Sequence, residues 1–368
     1  MSDIADLSKG IGISKDQLSA DGEPCILYGE LYTKYKSETI KEVISKTNID
    51  NTKLVKSKAN DVIIPCSGET AEEIATARCV LKDDILLGGD LNIIRLHGYD
   101  GSFMSYQLNG KRKYDIAKVA QGVSVVHLYG EHLKNIKTIN PSLNEQKKIA
   151  NLLSLLDERI STQNKIIEDL KKLKCAIIET VYNGKGHEYR IGDIIDQVSQ
   201  RNKRCLVNTV LSVNNKLGFI NQDEQFEDRT VASEDTSNYK VVFKDDFAYN
   251  PARINVGSIA RLKSFDKGIV SPMYICFKVT DGIVPEYLES YFATNHFSKE
   301  MQKRLEGSVR LCLSFEGLCN IPIFVPCIDE QTEIGKRIYQ LENKIETECN
   351  ILSLYEKQKQ YLLRQMFI

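Results

Sequence analysis

The side chains best equipped for chemistry in this chain are its five histidines, its ten cysteines and a few Asn-Pro and Gly-Lys pairs. A metal centre needs ligands at close, regular spacing, and His97, His127, His132, His187 and His296 do not offer it. His127 and His132 come nearest, and that pair reads as structural. No cysteines form a Cys-x-x-Cys pair, so a zinc site is not expected and a reduced, cytoplasmic protein is. Asn140-Pro141 and Asn250-Pro251 lack the proline and aromatic residue that would complete an amino-methyltransferase motif. Gly88-Gly89-Asp90 is not a phosphate-binding loop, and Asn183-Gly184-Lys185-Gly186 lacks the Walker spacing. With no catalytic constellation left, an enzyme acting alone is the least expected reading.

The bulk numbers bound what remains. A chain of 368 residues with 42% hydrophobic and 27% charged side chains predicts two or more folded domains. A formal charge of −1 argues mildly against a lone nucleic-acid binder, although local basic patches can bind DNA while acidic faces meet protein partners. The Met-Ser-Asp-Ile start lacks the basic and apolar stretches of a signal peptide, and no run of about 18 apolar residues predicts a membrane span.

The elements that must position any site are written twice. Ten pairs stand 185 residues apart: Gly122 and Gly307, Leu128 and Leu313, Glu131 and Glu316, Leu133 and Leu318, Asn135 and Asn320, Ile136 and Ile321, Pro141 and Pro326, Glu145 and Glu330, Gln146 and Gln331, Ile149 and Ile334. That offset is close to half the chain, so the sequence reads as a tandem duplication. Weaker echoes match Ile4-Ala5-Asp6-Leu7 with Ile191-Gly192-Asp193-Ile194. They also match Val80-Leu81-Lys82-Asp83-Asp84 with Val242-Phe243-Lys244-Asp245-Asp246, at a shorter offset. The fronts of the repeats have diverged and their ends have not.

Each repeat ends in a predicted long helix. Ile149, Leu153, Leu156, Ile160, Ile167, Leu170, Ile177 and Val181 alternate by threes and fours, with Gln163 and Lys174 in the missing seam positions. Ile334, Ile338, Leu341, Ile345, Leu352, Tyr355, Leu362 and Met366 do the same, with Glu348 and Lys359 in the polar slots. This is a sustained heptad seam, and helices of about 40 residues would run roughly 60 Å. Two such helices can bury their seams against each other, the polar positions fixing one register; packing against adjoining domains is the plainer alternative. Pro141 and Pro326 stand just before the helix starts, and Asn183-Gly184 supplies a stop for the first. The fronts hold short strand-like runs between glycine-bearing turns and a helical stretch from Pro285 to Leu305, so each globular part is predicted to be an α+β domain.

The pattern Pro-x-x-x-Glu-Gln-x-x-Ile before a heptad helix stands here twice, at Pro141 and at Pro326, and resembles the shared helical regions of type I restriction-modification specificity subunits. Ser67-Gly68-Glu69-Thr70, Gly88-Gly89-Asp90-Leu91 and the run from Gln121 to Leu128 look like one form of that family's target-recognition domain. The run from Asn250 to Ser258, with Gly268-Ile269-Val270-Ser271-Pro272, looks like another. The resemblance implies recognition domains at 1–140 and 187–325 and spacer helices at 141–186 and 326–368. The helices would pair antiparallel, each domain would read half of a split DNA target, and two methyltransferase subunits would dock, with a restriction and translocation subunit able to join. Adenosylmethionine, ATP and Mg²⁺ would belong to those partners and none to this chain.

Bases are read in the major groove by side chains that make paired hydrogen bonds, chiefly Arg to guanine and Asn or Gln to adenine. In the first domain the candidates are Lys34, Tyr35, Lys36, Lys111, Arg112, Lys113 and Gln121, with the amides of Gly68 and Gly122 near phosphate. In the second they are Arg201, Lys203, Arg204, Asn250, Arg253, Asn255, Ser258, Arg304, Ser308 and Arg310. Any one of these also reads as a surface charge, a turn residue or an ion-pair partner. Glu145-Gln146 and Glu330-Gln331 suit helix-start capping and partner docking equally. A stand-alone DNA-binding regulator and a coiled-coil scaffold are the competing readings.

Overall fold

A computed structural model describes residues 1–122, 125–182, 186–215, 217–222, 235–308 and 310–367; Val123, Ser124 and the Asn183-Gly184 stop lie outside them. The chain divides into two units, Met1–Ile166 with Glu348–Ile368, and Ile167–Thr347. The units differ from the linear quarters expected from the repeats, because each takes part of both long helices.

In the first unit a five-stranded sheet runs in the order Ala5–Lys9, Leu91–Leu96, Asp61–Pro65, Arg78–Val80 and Thr39–Ile40, antiparallel except for the last pair. Asp61–Pro65 is buried throughout, and the strand period of two splits its side chains between two cores. Val62 and Ile64 pack with Met104, Leu108, Leu128 and Leu133, while Ile63 packs with Ile26, Leu31 and Ile93. A second sheet runs Leu18–Ser19, Ser45–Thr47, Glu23–Ile26, Leu86–Leu87 and Val55–Lys56, with one parallel pair at Glu23–Ile26.

The second unit repeats this plan. One sheet runs Ile195–Val198, Ile275–Val279, Phe247–Tyr249 and Ile259–Arg261, all antiparallel. The other runs Gly218–Asn221, Val210–Asn214, Lys267–Val270 and Lys240–Phe243, again parallel only where Val210–Asn214 meets Lys267–Val270. Phe247 and Tyr249 face one core with Phe277, and Ala248 faces the other with Cys276. The fold is therefore α+β and duplicated throughout, fronts included.

The hydrogen bonds correct two of the sequence echoes. Asp61 closes a turn by accepting from the Lys58 N–H at 2.8 Å, after Asn60 at φ 82°. Asp246 accepts from the Phe243 N–H at 2.8 Å, after Asp245 at φ 70°. Residues 58–61 are thus the counterparts of 243–246, at the 185-residue offset, and Val80–Asp84 is not. Likewise the Ile4 carbonyl accepts from His97 at 2.8 Å where the Ile194 carbonyl accepts from Thr280 at 3.0 Å, so Ile4 corresponds to Ile194 and not to Ile191.

The long helices are Leu143–Val181 and Ile328–Gln365. In the first unit they run antiparallel. Ala150 and Leu153 pack on Leu363 and Phe367, Asp157 meets Lys359 at 2.6 Å, and the Gln163 amide donates to the Glu348 carbonyl at 3.0 Å. In the second unit Lys174 meets Glu342 at 2.6 Å. Lys174 and Lys359 are equivalent positions, as are Asp157 and Glu342, so the same ion pair fixes the seam register once in each unit. Leu153, Leu156, Ile167 and Ile338 are buried, and Ile160, Leu170, Leu341, Ile345, Leu352 and Tyr355 are half-buried.

Candidate nucleic-acid interface

Each unit carries the same closed loop. In the first, Gln121 and His127 exchange backbone hydrogen bonds of 2.9 and 2.7 Å, and in the second Glu306 and Cys312 do so at 2.9 and 2.8 Å. The turn begins at Gly122 (φ 129°) and at Gly307 (φ 124°), where a Cβ would fall 2.0 Å from the Val125 carbonyl and 2.2 Å from the Arg310 carbonyl. Only glycine fits such a backbone. Each loop is then tied to the sheet, Leu128 donating to the Cys66 carbonyl at 2.8 Å and Leu313 to the Pro251 carbonyl at 3.1 Å. Cys66 and Pro251 are again 185 residues apart. The frame is shared, and the exposed side chains on it differ.

In the second unit the loop borders a groove of about 540 Å³. Among the predicted residues the groove brings together Asn250, Arg253, Ser258 and Arg310. Asn250 and Ser258 are buried and form its floor. The Asn250 side chain accepts from the Ala252 N–H at 3.1 Å, and the Ser258 hydroxyl donates to the Val213 carbonyl at 3.3 Å. The first bond shapes the turn, in the manner expected of an Asx residue, and the second ties it to the strand Val210–Asn214. Arg253 and Arg310 are exposed on the rim, and among the described residues neither forms an ion pair. The lining also includes Asn214, Asn215, Tyr239, Met273 and Tyr274, and no carboxylate among the described residues. Sequence reasoning missed these, because the strand pairing that gathers them is long-range; the Asn214-Asn215 pair was the one available signal.

Arg201, Lys203 and Arg204 are exposed on a separate loop, outside the groove lining. Buried Asn202 closes that loop, donating to the Val207 carbonyl at 2.9 Å and accepting from the Val207 N–H at 3.2 Å. Asn255 and Ser308 are exposed beyond the lining. Arg304 is engaged, pairing with Glu300 at 2.6 Å; hydrogen bonds from Lys303 and then Arg304 hold the pKa of that carboxyl down to about 2.

The first unit leaves its candidates on separate elements. Gln121 and Gly68 are near neighbours, since His127 bridges Gln121 while Val126 pairs with Gly68. Lys36 and Lys111 are exposed. Lys34 is committed to Glu30 at 2.6 Å and Ser45 at 2.9 Å. Arg112 pairs with Asp115 at 3.3 Å. Burial, with Arg78 nearby, pulls the Lys113 ammonium below its ordinary range. Tyr35 is 7% exposed and packs in the core with its hydroxyl accepting from the Ile44 N–H, so its side chain is not offered to DNA.

Glu145 and Glu330 are exposed in the first helical turns. Gln146 and Gln331 are each 1% exposed, which corrects the docking reading for those two. Gln146 donates to the Pro141 carbonyl at 2.8 Å and Gln331 to the Pro326 carbonyl at 2.9 Å, so both clamp the helix start. Among the described residues no group of three His, Cys, Asp or Glu side chains could hold a metal ion, and no helix is long and apolar enough to cross a membrane.

The described geometry fits what is known of other chains. A family described as the type I restriction modification DNA specificity domain matches residues 1–172 and again 185–354. The type I restriction enzyme MjaVIII specificity subunit of Methanocaldococcus jannaschii is 24% identical over 395 residues, covering 98% of this chain and 90% of that one. The fold is similar to that of the S subunit from M. genitalium, with a TM-score of 0.61, 18% identity, and coverage of 100% of this chain and 94% of the other. It is also similar to a chain of a type I R-M system, with a TM-score of 0.58, 13% identity, and coverage of 98% and 95%. With the family matched once in each repeat, the chain belongs to the specificity subunits of type I restriction-modification systems.

Proposed function

We propose that this chain reads a split DNA target, one half through each recognition domain (1–140 and 187–325), for a complex in which it has no catalytic role. The observation that carries this reading is the doubled loop at 121–127 and 306–312, one backbone frame presenting different exposed side chains. Two readers of unlike sequence need such an arrangement, and a single-site reader does not. The exposed loop cations Arg201, Lys203 and Arg204 would neutralise phosphate, as would Lys36 and Lys111. Two methyltransferase subunits would dock on the helical regions, with Glu145 and Glu330 at their exposed starts, and restriction subunits could join. Adenosylmethionine, ATP and Mg²⁺ would act on those partners, in the cytoplasm.

The test is a map of methylated adenines in cells with and without this gene. Loss of one split motif on deletion is the expected result. An unchanged map in cells that express the protein would overturn the reading in favour of a regulator or a scaffold.

A further inference from the structure

Arg310 and Val125 stand 185 residues apart, at the same place on the two loops. Each is three residues before the leucine that ties its loop to the sheet, and each supplies the carbonyl that crowds the positive-φ glycine. Both are exposed, Val125 by 52%. The backbone thus delivers one residue per unit to an equivalent point, and the chemistry there differs completely. In the second unit that point opens on the groove, whose lining among the described residues holds two arginines and several amides and hydroxyls but no carboxylate. Such a lining suits an acceptor-rich partner. With no ion pair among the described residues, the Arg310 guanidinium keeps its planar fork for a ligand.

We propose that Arg310 is a specificity-determining residue that takes a guanine edge in the second half-site, and that Val125 holds the matching position for the first. This rests on the split-target reading above. Guanine offers two acceptors, O6 and N7, to the guanidinium fork, whereas a valine can only pack against an apolar edge such as the thymine methyl. The Asn250 side-chain oxygen and the Ser258 hydroxyl are engaged with backbone groups beneath, and Arg253 and Arg310 supply the exposed guanidinium donors on the rim.

The experiment expresses the full chain with its methyltransferase in cells lacking both, and maps methylated adenines for wild type, R310A, R310K and V125R. Co-purification with the methyltransferase checks that each variant folds. R310A should leave one half-site intact and lose discrimination at a single guanine of the other, by roughly 5- to 150-fold. R310K should recover part of that loss, since lysine donates as a point charge. V125R should alter one position of the opposite half-site. An unchanged R310A motif would overturn the proposal, as would an even fall at all sites, which marks a phosphate contact. Changes from R310A and V125R in the same half-site would also overturn it. A wild-type map without any split motif would instead sink the functional reading on which it rests.

Discussion

The side-chain oxygen of Gln146 accepts a 2.9 Å hydrogen bond from the backbone N–H of Asp100, the residue that caps the helix Gly101–Asn109. In the second unit Gln331 accepts from the Val284 N–H at 2.9 Å, and Val284 stands just before the helix Pro285–Tyr291. Each glutamine therefore ties the start of a long helix to the globular part of its own unit. Truncating either leaves a part-buried N–H and at least one part-buried carbonyl short of partners, at about 1–3 kcal/mol per site. Q146A and Q331A should each lower the urea midpoint accordingly. E145A and E330A, exposed next door, should stay within about 0.5 kcal/mol of wild type. Equal losses from the glutamate and glutamine variants would count against the clamp.

Lys359 is the second tie in the first unit. It pairs with Glu38 at 2.5 Å and Asp157 at 2.6 Å, all three largely buried. The Asp157 carboxylate also accepts from the Tyr106 hydroxyl at 2.8 Å and from Ser37 at 2.7 Å. Removing the cation strands two carboxylates, so K359M should cost about 3–5 kcal/mol near neutral pH. Burial raises the Glu38 pKa while Lys359 opposes that rise, so its loss widens the pH range in which folded Glu38 holds a proton that the unfolded chain has released. Across that range stability falls as pH rises. The deficit of K359M should therefore be smaller at pH 5 than at pH 7.5 in paired urea titrations. A deficit independent of pH would rule out this account.

What was legible in the sequence follows from what each feature depends on. The seam was legible because a heptad pattern is local, and Gln163, Lys174, Glu348 and Lys359 stood out as its polar slots. The ends of the repeats were legible because Leu128, Leu133 and Ile136 and their counterparts are core residues that tolerate little change. The fronts were not. Residues 58–61 and 243–246 make the same turn through backbone hydrogen bonds, and only Asp61 and Asp246 keep a common side chain. Residue type also could not tell rim from floor. Asn250 has the donors and acceptors of a base reader, yet it shapes a turn. Tyr35 lies among basic residues in sequence and among apolar ones in space.

Gly122 and Gly307 set the geometry of the two loops. An added Cβ would be strained by the positive φ and would strike a carbonyl, at about 1–3 kcal/mol. G122A and G307A should therefore lower the thermal midpoint modestly while misplacing the exposed side chains beyond. Methylation should fall in both, and the residual motif should blur in one half-site for G122A and in the other for G307A. The same half-site blurring in both would mean that the loops do not serve separate halves.

The exposed cations of the second unit predict a different signature from its groove. Arg204 and Lys203 sit on a loop closed by Asn202 and are not among the residues that line the groove, so a phosphate can be met there without any base being read. Each phosphate contact adds about 0.9 to the slope of log affinity against log salt. R204A in the methyltransferase complex should thus weaken binding to cognate and unrelated duplexes by a similar factor and reduce that slope by roughly one. The methylation motif should stay the same. Fluorescence anisotropy across a salt series measures the slope, and a motif change with an unaltered slope would move Arg204 from the phosphates to the bases.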